Sequence, residues 1–357
     1  MRYLVKAQGG FYCFFHKDGG LWWCGRDKDG SWSEPACFYK SGVDYFTVSL
    51  CEGKILILCQ TKTKVEQIYF DRGDFESSVL VEGGLDGNYY GLALGLDTFL
   101  VHNMPIAREY SHILMSHRVD AQGLWTNSRN LGRVIPLGRG YPFDIVPIEK
   151  QHFLLFYQAQ GDGFGGDLGY REVYGKMMGD FNVVHSNANI NGKCHSFLAT
   201  TEGIHMVYMT KGLLVPSLNY VKKDTRGLSS KISLAQGHNV HSPLLYMLKG
   251  RLHLLYMRGE DVFSCVIGRD GYVSNPQLQQ EGFKAGDIVL GRFLCENEAD
   301  AEFLANELPV NSKKPWEVVF LDNLLNLNSE PGAPVKQYKT SQIGSQDDYN
   351  DFFNQGF

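Results

Sequence analysis

Short runs of apolar and aromatic residues recur along the first 290 positions, each flanked by polar turn residues and none with helical spacing. The strongest runs are 11–16, 54–60, 99–103, 153–158, 204–209 and 252–257. Two of them superimpose residue for residue at an offset of 48: Ile204-His205-Met206-Val207-Tyr208-Met209 and Leu252-His253-Leu254-Leu255-Tyr256-Met257. A further strand candidate precedes most runs (46–50, 91–96, 143–148, 194–199 and 242–248). A more alternating third segment follows, for example Gln67-Ile68-Tyr69-Phe70 or Val262-Phe263-Ser264-Cys265-Val266, and then a fourth such as Ser78-Val79-Leu80-Val81. Continuous apolar runs are what strands look like when both of their faces are covered.

A turn pattern marks each unit: glycine, a variable residue, a bulky residue, then a small or polar one. The copies start at Gly30, Gly73, Gly123, Gly179, Gly227 and Gly271, in steps of 43, 50, 56, 48 and 44 residues. In five of the six, an aspartate lies within three residues before the glycine: Asp29, Asp71, Asp120, Asp224 and Asp270. Aspartate caps its own backbone and glycine takes positive φ without strain, so the chain reverses there.

Four short strands per unit of about 45–50 residues predict an all-β protein, a β-propeller of four-stranded antiparallel blades. A seven-bladed ring is expected over 1–328, with blades at about 1–44, 45–88, 89–141, 142–193, 194–240, 241–285 and 286–328. The alternative is a six-bladed ring with a C-terminal appendix. In the last unit 287–290 and 316–321 read as strands and 298–308 as a short helix. From 329 to 357 the chain turns polar, a linker leading to an acidic and aromatic tail.

Composition narrows the function classes. Aromatics make up 13% and charged residues 20%, which suits half-buried sheets. A net charge of −5 with no basic cluster beyond a pair gives no footprint for nucleic acid. No apolar run is long enough to span a membrane as a helix. The eight cysteines lack C-x-x-C spacing and read as buried free thiols. With no signal-peptide pattern at Met1-Arg2-Tyr3-Leu4-Val5-Lys6, the expected compartment is the cytoplasm.

The first turn copy, Arg26-Asp27-Lys28-Asp29-Gly30-Ser31-Trp32-Ser33-Glu34-Pro35, resembles the Asp-box hairpin of sialidase-type propellers and the Asp-Gly-x-Trp turns of propeller lectins. It departs from the sialidase pattern in that Gly30 and Trp32 are two apart rather than three, and no threonine precedes the tryptophan. In those families the motif is structural, so the resemblance implies a fold and not a reaction. A sialidase also needs an arginine triad, a Tyr/Glu pair and an aspartic acid. Spacing assigns none of Arg72, Arg118, Arg171, Arg251 or Arg292 to those roles.

Residues 158–169 (Gln-Ala-Gln-Gly-Asp-Gly-Phe-Gly-Gly-Asp-Leu-Gly) form an insertion in the longest repeat. They resemble one calcium-binding nonapeptide repeat, but such repeats bind ions as arrays. The expected role is a rim-facing ligand loop carrying Asp162, Phe164 and Asp167, joined by Arg108 from the 103–111 insertion. The 11 histidines show no zinc spacing, and His205 and His253 occupy equivalent repeat positions, which points to structure. No catalytic set, metal or cofactor is expected. If the ring cleaved glycosides, the carboxylates to inspect near inner-strand ends are Asp144, Glu202 and Asp287.

The tail carries Tyr349, Phe352, Phe353 and Phe357 beside Asp347, Asp348 and Asp351. It resembles the acidic, aromatic-ended tails by which single-stranded DNA-binding proteins dock partners, though those end in Pro-Phe and this ends in Gly-Phe. The expected function is a non-catalytic scaffold that binds a protein partner, or another copy of itself, through this tail and its loop faces. The alternative is a carbohydrate-active propeller, either a lectin or a sialidase-like or other glycoside hydrolase.

Overall fold

A computed structural model describes residues 2–319 apart from 28–29, 52–53, 84–86, 95–96, 107–110, 121–122, 136–142, 150–151, 161–165, 176, 189, 211–214, 269–270, 281–287, 296–302 and 316. The protein is an all-β propeller. Six units of four antiparallel strands follow one another along the chain. Their first strands are Arg2–Ala7 (blade 1), Val43–Cys51 (blade 2), Asn88–Leu94 (blade 3), Phe143–Glu149 (blade 4), Ile190–Thr200 (blade 5) and Val240–Leu248 (blade 6). Each first strand pairs with a second that is an uninterrupted apolar run, such as Lys54–Thr61 or Gly203–Thr210, in which six consecutive residues are buried.

The continuous runs are explained by what covers them. Six apolar layers are built, each between two consecutive blades, so the second strand of a blade is packed on both faces. Between blades 4 and 5, Phe156 and Phe197 stack with ring centroids 4.0 Å apart. Blade 6 meets blade 1 through Leu244, Tyr246 and Leu255 against Leu4, Phe11 and Phe15, which closes the ring.

The turn pattern does what its chemistry requires. Gly30, Gly73, Gly123, Gly227 and Gly271 all have positive φ. Asp120 accepts a hydrogen bond from the Leu124 N–H at 2.8 Å; in the first copy it is Asp27 that accepts from Ser31, at 2.8 Å, and Asp29 and Asp270 lie outside the described residues. The polar residue after the bulky one completes the ladder: Ser33, Ser229 and Ser274 accept from the Gly25, Lys222 and Val266 N–H groups at 3.1, 3.0 and 2.9 Å. Blade 4 differs. Its chain reverses at Gly175 (φ 51°), and Gly179 lies in the outer part of the blade, donating to the Glu172 carbonyl at 2.8 Å.

A separate glycine, Gly203, turns from the first to the second strand of blade 5 with φ 128°. A Cβ there would lie 2.2 Å from the Lys223 carbonyl oxygen. Gly203→Ala is therefore expected to cost about 2 kcal/mol or more, read as a lower urea midpoint.

The last described strands join the sheets of blades 1 and 6. Ile288–Cys295 runs parallel to the first strand of blade 1, and Glu307–Asn311 pairs antiparallel with it in turn. Phe303–Ala305 pairs with the first strand of blade 6. The helix expected over 298–308 is replaced by strands in its described part. The open edges of blades 1 and 6 offer backbone partners there, which a helix would leave unpaired. Of 316–321, Val318 forms a single bridge to Val310.

Candidate functional site

First strands of different blades approach one another, as the Gly91 N–H donating to Thr47 Oγ1 at 3.3 Å and the Leu245 N–H donating to Ser196 Oγ at 2.9 Å show. They line the middle of the ring, and the closing strand Ile288–Cys295 enters there. At the end where the first strands begin, side chains from several of them converge. Asp144 of blade 4 accepts from the Arg292 guanidinium, from His195 Nε2 of blade 5 at 3.1 Å, and from its neighbour's Ile145 N–H at 2.7 Å. Arg292 also faces Glu307 at 3.7 Å, and Tyr3 and Tyr90 lie close enough to bear on its charge.

The electrostatics of this clamp are one-sided. Burial alone would raise the Asp144 carboxyl, but the Arg292 charge and then His195 outweigh it and hold its pKa well below the usual range. Burial likewise works to lower Arg292, and Asp144 and Glu307 reverse that. Both groups stay charged at neutral pH. A carboxyl held ionised in this way does not serve as a general acid.

A carboxylate only accepts, so His195 donates its Nε2 proton to Asp144. His195 stands opposite Tyr208 in the blade 5 ladder. Among the described residues, His195 Nδ1 and the Tyr208 hydroxyl are buried and have no hydrogen-bond partner. His185, from the outer strand of blade 4, has its ring 5.7 Å from that of Tyr208. Two unsatisfied polar atoms on a cross-strand pair are the kind of feature a small hydrogen-bonding group would relieve.

The other residues singled out by sequence are scattered. Asp167 lies opposite Ala159 at the start of the strand Gly166–Tyr174, half-buried, where its charge acts on His185. Arg108, Asp162, Phe164 and Asp287 lie outside the described residues, as do Asp347, Asp348, Tyr349, Asp351, Phe352, Phe353 and Phe357. Glu202 sits at the opposite end of blade 5, 3.6 Å from Lys222. His205 is held by Tyr220 at 2.8 Å and Thr200 at 3.0 Å, while its repeat equivalent His253 stacks on Tyr246 at 4.9 Å. Spacing missed Tyr90, His195, Tyr208 and Glu307, which come together from separate strands with no shared motif. Among the described residues no group of three metal-ligating side chains converges.

A second concave feature lies between blades 3 and 4, at the end opposite the clamp. It is a shallow, solvent-open cleft whose lining includes Phe99, His117, Arg118, Arg129, Met177 and Met178. Three guanidinium groups surround the blade 4 turn. Arg118 donates to the Gly175 carbonyl at 2.7 Å, Arg129 to Met178 at 3.3 Å and Arg171 to Gly179 at 2.9 Å. Arg118 is also paired with Asp97 at 3.1 Å.

No protein-family model and no curated protein sequence matches the chain. Solved structures are similar to it in fold. A family PL25 ulvan lyase, a polysaccharide lyase seen bound to -[GlcA(1-4)Rha3S]-, is 9% identical, with 87% of this chain and 91% of that chain covered and a TM-score of 0.55. The fucose-recognising six-bladed propeller lectin of Aleuria aurantia is 11% identical, with 80% and 96% covered and a TM-score of 0.41. The class is that of the β-propellers.

Proposed function

We propose that this protein is a carbohydrate-active propeller that binds a saccharide at the end of the ring where the first strands begin. This was the alternative in the sequence reading, and it now stands ahead of the tail-borne scaffold. The observation that carries it is the convergence there of a guanidinium, an imidazole and two tyrosines from four separate strands. Saccharide sites combine charged and hydroxyl hydrogen-bonding groups with ring faces in this way. The orphaned Tyr208 hydroxyl and His195 Nδ1 give a sugar hydroxyl, or a water that it displaces, two waiting partners. The likeness in fold to a polysaccharide lyase, over nearly the whole of both chains, supports the same reading.

Tyr208→Phe tests it with little structural disturbance. Its hydroxyl is buried without a partner, so removing it is expected to leave folding stability unchanged or raise it by up to about 1 kcal/mol. Affinity for the best ligand from a glycan array, uronate-bearing polysaccharides included, is expected to fall several-fold to about tenfold by calorimetry. Unchanged affinity would remove Tyr208 from the site. An array with no ligand at all would overturn the carbohydrate reading.

A further inference from the structure

We infer that the cleft between blades 3 and 4 is the docking site for the acidic, aromatic end of this same chain, residues 347–357. The cleft combines cations with an apolar wall. Two arginines line it: Arg118 is paired with Asp97, while Arg129 has a neutral oxygen, Met178 O, as its hydrogen-bond acceptor; Arg171 bonds the same turn at Gly179 O without lining the cleft. Met177, which lines it, is 68% exposed, and Tyr174 on the same turn is 54% exposed, apolar surface that the described residues leave uncovered. Phe99 and Val173 line the cleft alongside Met178.

The wall chemistry selects the occupant. Methionine side chains adapt their shape and make favourable sulfur contacts with aromatic rings. Tyr349, Phe352 and Phe353 supply the rings, and Asp347, Asp348 and Asp351 supply carboxylates for the guanidinium forks. Reach is not limiting. Asp347 follows the last described residue, Val319, by 28 positions (347 − 319), a contour of about 90 Å at roughly 3.3 Å per residue. A folded ring of this size has a radius of gyration of only about 20 Å. Tethering also gives the tail an effective concentration on the order of millimolar, so a weak contact suffices.

The test uses the full-length chain and reads no saccharide, so its outcome is separate from that of the carbohydrate site. Backbone hydrogen exchange is followed over residues 173–179 in the unsubstituted protein and in a Phe352→Ala/Phe353→Ala variant. The variant is expected to exchange there about tenfold faster. Adding a synthetic peptide of residues 345–357 is expected to restore the slow exchange. Arg129→Glu, a change at an exposed side chain, is expected to speed exchange equally and to abolish the response to peptide. Unchanged exchange in the tail variant overturns the inference. Protection that rises with protein concentration, with a matching rise in sedimenting mass, overturns its same-chain form and assigns the cleft to a second copy.

Discussion

Arg292→Ala is expected to lower folding stability by about 3–5 kcal/mol, measured by urea unfolding of the full chain. The guanidinium is a main compensation for the buried Asp144 carboxylate, and Glu307 shares it. Truncation leaves Asp144 with His195 and one backbone N–H, both too weak to offset a desolvated charge. It also removes the ion pair that ties the closing strand to blade 4, while its backbone pairing with blade 1 remains. Arg292→Met combined with Asp144→Asn removes both charges together and is expected to cost much less than the single change. A double variant whose cost equals the sum of the separate Arg292→Met and Asp144→Asn costs would mean that the clamp carries no coupling. Asp144 itself adds no pH dependence near neutrality. Asp144 has a lowered folded pKa, so its contribution is complete above the ordinary carboxylate value and fades only in strong acid.

Acid should destabilise the ring well before that point, through its buried histidines. His102 is pushed down to about 4 by burial and then by the neighbouring His117, which donates or accepts at 2.9 Å. His205 is also pushed down to about 4, by burial first, then by Lys222, with Glu202 opposing. Both are neutral in the folded protein at pH values where the unfolded chain is already taking up protons. The unfolded state then binds more protons, so stability falls as pH falls. The window runs from about 6.5, the unfolded histidine value, down to about 4, and each residue contributes on the order of 2 kcal/mol. Urea midpoints at pH 7.5, 5.5 and 4.5 should decline through that window. His205→Gln can still bond to Tyr220 and Thr200 and should flatten the decline. Midpoints that do not change between pH 7.5 and 4.5 would contradict the account.

The blades were legible because their signal is local. Apolar runs such as 54–60 and 204–209 must be covered on both faces, and a glycine turn such as Gly271 with its following serine fixes where strands reverse. The closing segment was not legible for the opposite reason. Residues 303–308 have helix-compatible composition, and their strand form depends on partners outside the segment, the first strand of blade 6 and the strand Ile288–Cys295. The site shows the same divide. Asp144 could be singled out as a carboxylate near an inner-strand end, but its partners, His195 and Arg292, are brought to it by ring closure. No spacing in the chain encodes that meeting. His205 and His253 were legible as structural positions because the repeat itself aligns them.

The central claim is that a saccharide sits where the first strands begin, beside Asp144, His195 and Arg292. Hydrogen exchange of the full chain, with and without saturating amounts of the best glycan from the array, tests it most directly. The account predicts slowed exchange at the starts of the first strands of blades 3, 4 and 5 and along Ile288–Cys295. Protection confined to the blade 3–blade 4 cleft, or to the outer strands, would contradict it.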